Sequence, residues 1–516
     1  MRHADRADDS GVTRRRFLQL TAGAATYAAG GLGAARAHED RRTEASAGAD
    51  MRLGGQDLIV KPVLTYELPA RRPNTSWRNW GELHSKEAVA REAARIDKEL
   101  AKLCAKADFP MKALPTATVA RPEEVGQLGD LDGADALLIY AAGGWLELFD
   151  ALMQKGKPAI FFIRHKSGPY YLWHEIIHAR FLRAHSDRLA RSGFDYQDVV
   201  VDDYGELRWR LRALYGLRNT RDRTILAIGG PGGWATAGAP DLARERWRLD
   251  IRTVEYPDLE QRLSAAHADA ACAARAEEGT RRLLAEEGVT LETERAFVAR
   301  SFVLAEVFRQ LLAEAGAHAI TVNGCMGRIM PPAQTAPCLA LNLLNDAGYM
   351  AYCESDFVVI PAGILLHFIA GKPTFLCNPT YPHHGGIVFA HCTAPRRMNG
   401  RDPEPVRLVT HFESDYGAAP KVQFRKGQVI TALMPDFEAR EWVGYRCEIA
   451  GHPFLPICRS QIEARIDGDA EQVTPLMRGF HHMLVYGDYL REVGYALKRV
   501  GIGFADLSAA HPCRQE

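Results

Sequence analysis

Two stretches of this sequence gather side chains that could hold a metal ion or move protons. Residues 173–183 read WHEIIHARFLR, with His174 and His178 four apart and Glu175 between them. On a helix starting after Pro169 that spacing sets both imidazoles on one face, as in zinc peptidases, where the glutamate activates water beside the ion. Such a site needs a third ligand. The extended motif wants glycine at 181 and histidine at 184, whereas the chain has Phe181 and Ala184, with His185 next. Glu206 is the candidate from a following helix, though it comes after the strand-like DVVVDDY. Because H-E-x-x-H fixes only three positions, the stretch reads as an amphipathic helix packing Trp173, Ile176, Ile177 and Phe181 inward.

The denser group is AYCESDFVVIPAGILLHFIAGKPTFLCNPTYPHHGGIVFAHC, residues 351–392. Glu354 and Asp356 follow a strand-like approach, His383 and His384 sit in a Pro/Gly loop, and His391 ends an apolar run. Carboxylates and imidazoles gathered at strand ends suit a divalent ion such as Mn2+ or Mg2+, with a carboxylate left over as acid or base. Asp356 has a second use, capping a helix that starts near Pro361. TILAIGGPGGW (224–234) runs a strand into a glycine-rich turn. It matches neither dinucleotide nor phosphate-loop spacing, and Trp234 stands where a small or polar residue is wanted. The turn reads instead as one that brings backbone close to a ligand or another part of the chain.

The elements that must position these residues alternate. ADALLIYAA (134–142) and KPAIFFIRH (157–165) are buried-strand patterns separated by the helical WLELFDALMQKG. AHAITVNG (317–324) and KPTFLCN (372–378) are further strands around the helical PCLALNLLNDAG. This βαβ grammar predicts parallel sheets. From about 396 the texture turns to shorter β-rich segments, PVRLVTHF, KVQFRKGQVITALM and EWVGYRCEIAG, before closing helical patterns. The expected organisation is an N-terminal α/β domain over 57–221, a second α/β domain over 222–395 carrying CESD, and a smaller β-rich domain over 396–516.

Before these regions, TRRRFLQLTAGAATYAAGGLGAARA sets Arg14 and Arg15 ahead of Phe17 and Leu18, then an Ala/Gly-rich run and a small-residue cleavage pattern at Ala35–Ala37. It predicts a twin-arginine signal over 1–37, a polar linker over 38–56, and a periplasmic or secreted mature chain delivered by the twin-arginine export machinery. The formal net charge of zero offers no footprint for nucleic acid or an anionic membrane. No later run approaches the roughly 20 apolar residues a membrane span needs. The ten cysteines contain no C-x-x-C pair, which argues against a cysteine zinc site and leaves their disulfide status open.

PCLALNLLNDAGYMAYCESD, LLHFIAGKPTFLCNP and FAHC resemble the core of the L-fucose isomerase and L-arabinose isomerase superfamily, in particular its fucose-isomerase-like bacterial members. The likeness extends, more weakly, to the glycine-rich strand end near 230, to THFESDYGA (410–418) and to MRGFHHMLVYGDYL (477–490). It implies two Rossmann-like domains followed by a barrel-like C-terminal domain, aldose–ketose interconversion with bound Mn2+, and assembly into trimers or hexamers. In that family two acids, one after each of two successive strands, bind the metal and shuttle protons, and a C-terminal histidine completes the site. Glu354 matches the first acid; the histidine maps to His481, with His482 beside it. His391 is a further candidate ligand, since a histidine follows a comparable strand in the arabinose branch. The second acid falls beside Cys377 at Asn378, whose amide oxygen can still ligate a divalent cation alongside Glu354, His391 and His481 but cannot accept and return a proton. Either Asp356 substitutes, giving a sugar isomerase-like enzyme with Glu354, Asp356 and Asn378 at its catalytic centre, or the fold survives as a non-catalytic carbohydrate-binding protein. A zinc peptidase at His174–His178 is the third reading.

Overall fold

Runs of β-branched, aromatic and other apolar residues with no polar alternation form strands covered on both faces, and helical crossovers between them make parallel pairing possible. Leu58–Tyr66, Ala136–Ala142 and Ala159–Ile163 are such strands, the latter two buried throughout. The computed structural model describes residues 54–78, 83–144, 146–168 and 194–508, all within one compact unit, Arg52–Glu516. The expected signal over 1–37, most of the 38–56 linker and the H-E-x-x-H at 174–178 lie outside the described residues.

The chain forms two parallel sheets followed by a closed antiparallel barrel. In the first sheet the order is Met111–Ala113, Leu58–Tyr66, Ala136–Ala142, Ala159–Ile163, Val199–Val201, and Ala117–Val119 extends the edge that Met111–Ala113 begins. In the second the order is Asp250–Val254, Thr224–Ile228, Ala319–Val322, Met350–Cys353. Taking Met111–Ala113 and Ala117–Val119 together as one edge of the first sheet, both sheets place their first strand inside the second and continue with later strands on its other side, which is doubly wound topology. Such sheets bind ligands beyond the strands' carboxyl ends, at the point where the winding reverses. In the second sheet that point lies between the ends of Thr224–Ile228 and Ala319–Val322.

Six strands close the barrel: Phe375–Pro379, Gly386–His391, Ser460–Asp467, Glu441–Gly451, Val429–Met434 and His482–Tyr486, each antiparallel to the next and the last paired back to the first. Gly503–Asp506 adds to Glu441–Gly451 in parallel. A small separate sheet joins Val289–Leu291, Val406–Val409 and Ala419–Val422. KPTFLCN, expected in the second α/β domain, is therefore a barrel strand, and the β-rich region starts at Phe375 rather than 396. An apolar strand alone does not declare its partner. What decides is the connection: residues 380–385 are too few for a crossover and form a hairpin to Gly386–His391.

Helix Ile360–Ala370 is buried on every side, as its unbroken apolar sequence requires. Its Ile369 packs so closely on Gly216 of helix Tyr204–Thr220 that no Cβ fits there. Trp247 and Trp442, both almost fully buried, pack with ring centroids 5.5 Å apart. Among the described residues no helix is long and apolar enough to cross a membrane.

Candidate metal centre

The second sheet's last strand, Met350–Cys353, ends in two consecutive non-glycine residues in the left-handed region, Glu354 (φ 68°) and Ser355 (φ 46°). Each such residue costs on the order of 1–3 kcal/mol and needs outside support. The glycine-rich turn after Thr224–Ile228 provides it: the Gly232 N–H donates to the Ser355 carbonyl at 3.0 Å and the Phe357 N–H to the Gly232 carbonyl at 3.1 Å. The Ser355 N–H donates to Thr321 Oγ1 at 3.2 Å. The turn thus carries out the close backbone approach expected from its glycines, and its target is the loop that presents Glu354.

Three ligand groups converge there. A carboxylate oxygen of Glu354 and a ring nitrogen from each of His391 and His481 lie within 4.8 Å of one another. His391 ends barrel strand Gly386–His391, and His481 immediately precedes strand His482–Tyr486; both are buried. His481 Nε2 stands 3.1 Å from Glu354 Oε2, and His391 Nε2 stands 3.4 Å from Oε1. Neither Nε2 makes a directed hydrogen bond, although both are shut away from solvent. The contacts are therefore charge proximity without aligned N–H bonds, and a cation among the three groups would satisfy both nitrogens.

Asp356 stands behind this set. Its Oδ2 is 2.7 Å from His481 Nδ1, and its Oδ1 accepts from the Val358 N–H at 3.1 Å. With both oxygens engaged and the residue 1% exposed, Asp356 orients His481, the carboxylate–histidine pairing that aims Nε2 of a metal ligand. Burial would raise the Glu354 carboxyl, but the His391 and His481 imidazoles outweigh it and hold the group well below the usual carboxylate range. Burial would lower His481, yet its hydrogen bond to Asp356 and the adjacent Glu354 charge prevail and raise it. Both shifts favour the charged forms of Glu354 and His481.

The remaining sequence candidates fall as follows. Asn378 is half-buried on strand Phe375–Pro379, in register with Ala390 and so at the same barrel rim as His391. His482 turns into the barrel between Phe389 and Tyr445, with centroids 5.7 and 6.0 Å away, and burial holds it neutral down to a pKa of about 3. His383 and His384 are exposed in the hairpin loop. Glu206, the third ligand considered for H-E-x-x-H, is taken by Arg210 and by the Trp209 Nε1–H, each at 2.8 Å.

One residue that sequence reasoning set aside belongs to the centre. Trp234, φ 47° and 58% exposed, donates its Nε1–H to Glu354 Oε2 at 2.7 Å. It stacks on Phe480, 42% exposed, with centroids 4.5 Å apart and planes 21° apart. Its position after a glycine-rich strand end was the available signal. No family model matches the chain, and no curated protein does.

Proposed function

We propose that this protein is an exported, metal-dependent sugar isomerase-like enzyme whose centre is Glu354, His391 and His481. The observation that carries the reading is the pair of buried, unpartnered Nε2 atoms facing one ionised carboxylate beside an exposed aromatic pair. The donor set of two imidazoles and one carboxylate fits a divalent transition ion; Mn2+ agrees with the sequence resemblance, whereas Mg2+ favours all-oxygen surroundings. Such an ion supplies Lewis-acid polarisation of a sugar carbonyl or hydroxyl oxygen.

The protein's own groups supply the rest. Asp356 fixes the His481 tautomer. Trp234 and Phe480 offer a flat apolar face to the C–H side of a sugar ring, with the polar groups of the centre at its edge. Glu354, whose side chain is 31% exposed, is the carboxylate of the set open to substrate and is the group assigned to proton transfer at the carbon beside the carbonyl.

The second reading, a carbohydrate-binding protein on the same fold, draws on two specific observations: Asn378 stands at the second acid's expected position, and Asp356 is committed to His481. Deuterium uptake from solvent at C2 across an aldose panel, with Mn2+-loaded protein, separates the two. Exchange supports the isomerase. Calorimetric binding without exchange establishes the binding protein, and neither binding nor exchange rejects both.

A further inference from the structure

A second group of candidate ligands lies outside the Glu354 centre. The thiols of Cys338 and Cys392 and a ring nitrogen of His411, all from buried residues, lie within 4.8 Å of one another. Half-buried Cys458 packs against the same cluster of buried residues as Cys338 and Cys392. We propose that Cys338, Cys392, Cys458 and His411 form a thiolate-rich zinc site that ties four separate segments of the chain together.

Each segment is held so that its ligand faces the others. Cys338 lies in the first turn of helix Pro337–Asp346. The loop bearing His411 is pressed onto that helix start, because Gly417 (φ 74°) comes so close to Ala336 that a Cβ would collide with its backbone. The Leu339 N–H donates to the Ala418 carbonyl at 3.3 Å and Thr293 Oγ1 to the Gly417 carbonyl at 2.9 Å, fixing the same loop. Arg459, next to Cys458, ties two further segments. Its guanidinium donates to the Thr410 carbonyl at 2.7 Å and to Thr410 Oγ1 at 3.2 Å, while its backbone N–H points at Cys392 Sγ, 3.5 Å away.

Isolated buried cysteines pack as small apolar groups. A backbone donor aimed at one sulfur and an imidazole brought to the same point are not needed for that purpose, but they are what a metal-bound thiolate uses. Zinc with sulfur ligands at about 2.3 Å places tetrahedral ligand atoms about 3.8 Å apart, inside the 4.8 Å that spans Cys338, Cys392 and His411, and Cys458 is the neighbour that would close the fourth position. Soft thiolates select zinc over Mn2+ or Mg2+. The site shares no ligand with the Glu354 centre and does not rest on the sugar reading. Its ligands lie at 338, 392, 411 and 458, so the absence of a C-x-x-C pair does not bear on it.

Elemental analysis of the full chain purified without chelator tests the site. The expected result is one zinc per chain that survives Glu354→Gln and is lost in Cys392→Ser. Replacing zinc by Co2+ in the unmutated protein should give an intense near-ultraviolet thiolate-to-cobalt band, weakened in Cys458→Ser, a milder change at a half-buried position. The cobalt spectrum needs no variant, so misfolding of Cys392→Ser leaves the test intact. A cobalt spectrum without the thiolate band, zinc that leaves with Glu354→Gln, or a disulfide joining Cys392 to Cys338 or Cys458 in non-reduced peptide maps would each overturn the proposal.

Discussion

Both parallel sheets end, at their strands' carboxyl side, in a buried group of charged side chains, and the two groups differ in how completely they are answered. Beyond Ala159–Ile163, buried Arg164 donates to Glu92 Oε1 at 3.0 Å and to Glu99 Oε2 at 2.8 Å. The Tyr204 hydroxyl donates to Glu99 Oε2 at 2.7 Å and pairs with Tyr140 at 3.0 Å. Every charge there meets an opposite one. Beyond Met350–Cys353 the count is different: Glu354 faces two imidazoles whose Nε2 atoms find no aligned partner. One topology thus yields a closed network whose charges are paired and an open one with two buried nitrogens left without hydrogen bonds, and the distinction lies in satisfaction rather than in residue type.

Substitutions on the two sides should separate accordingly. The largest effect belongs to Glu354→Gln, which should remove the bound ion and lower any ion-dependent turnover by about 10²–10⁴-fold while leaving the metal-free melting temperature close to unchanged. Elemental analysis and the exchange assay check it, and an unchanged ion content at this centre would erase the contrast. Arg164→Met should do the reverse. It leaves Glu92 with only the longer contact to Arg95, 3.5 Å away, at a cost of about 3 kcal/mol in urea unfolding, and should not change the ion content.

Asp356→Asn tests the oriented histidine. Ion affinity should fall about 10–100-fold by competition with a chelator, with near-native secondary structure by circular dichroism.

The smallest step compares two adjacent imidazoles. Buried His482, like His367 in the central helix, keeps a pKa of about 3 when folded, whereas the unfolded chain takes up a proton near 6.5. Stability should therefore fall with acidification, each histidine contributing about 1.4 kcal/mol per pH unit between those values. His481 has the opposite sign: its raised pKa adds stability to the metal-free protein below about 6.5, and this is lost as pH rises through the folded value. Urea midpoints across pH 5–8, with and without Mn2+, should show metal binding strengthening as His481 gives up its proton.

Much of the architecture could be read from the chain. Unbroken apolar runs separated by helical patterns identified the parallel strands, and the change of texture late in the chain anticipated a β-rich region, whose barrel form only the family resemblance implied. Phe375–Pro379 was misplaced because its own residues suit either kind of sheet. At the site, Glu354, His391 and His481 were each named from sequence, and their convergence supports treating them as one centre. Asp356 could not be assigned to His481 from sequence, because a bond between residues 125 apart leaves no local pattern. Trp234 was legible only as an unsuitable phosphate-loop residue, since its partner Glu354 lies 120 residues away.

Strand His482–Tyr486 has a further consequence through its place in the barrel. It lies between Phe375–Pro379 and Val429–Met434, so until it is inserted neither neighbour has its partner on that side and the barrel is open. His481 is the residue that leads into this strand. Pairings so far apart in sequence carry a high loop-closure cost and tend to form late in folding. A nascent chain that has not reached residue 481 therefore lacks one of the three proposed ligands, and capture of the proposed ion would report the moment of barrel closure. An ion that binds the closed state alone then locks it, by about 2.7 kcal/mol when its concentration is a hundredfold above the dissociation constant.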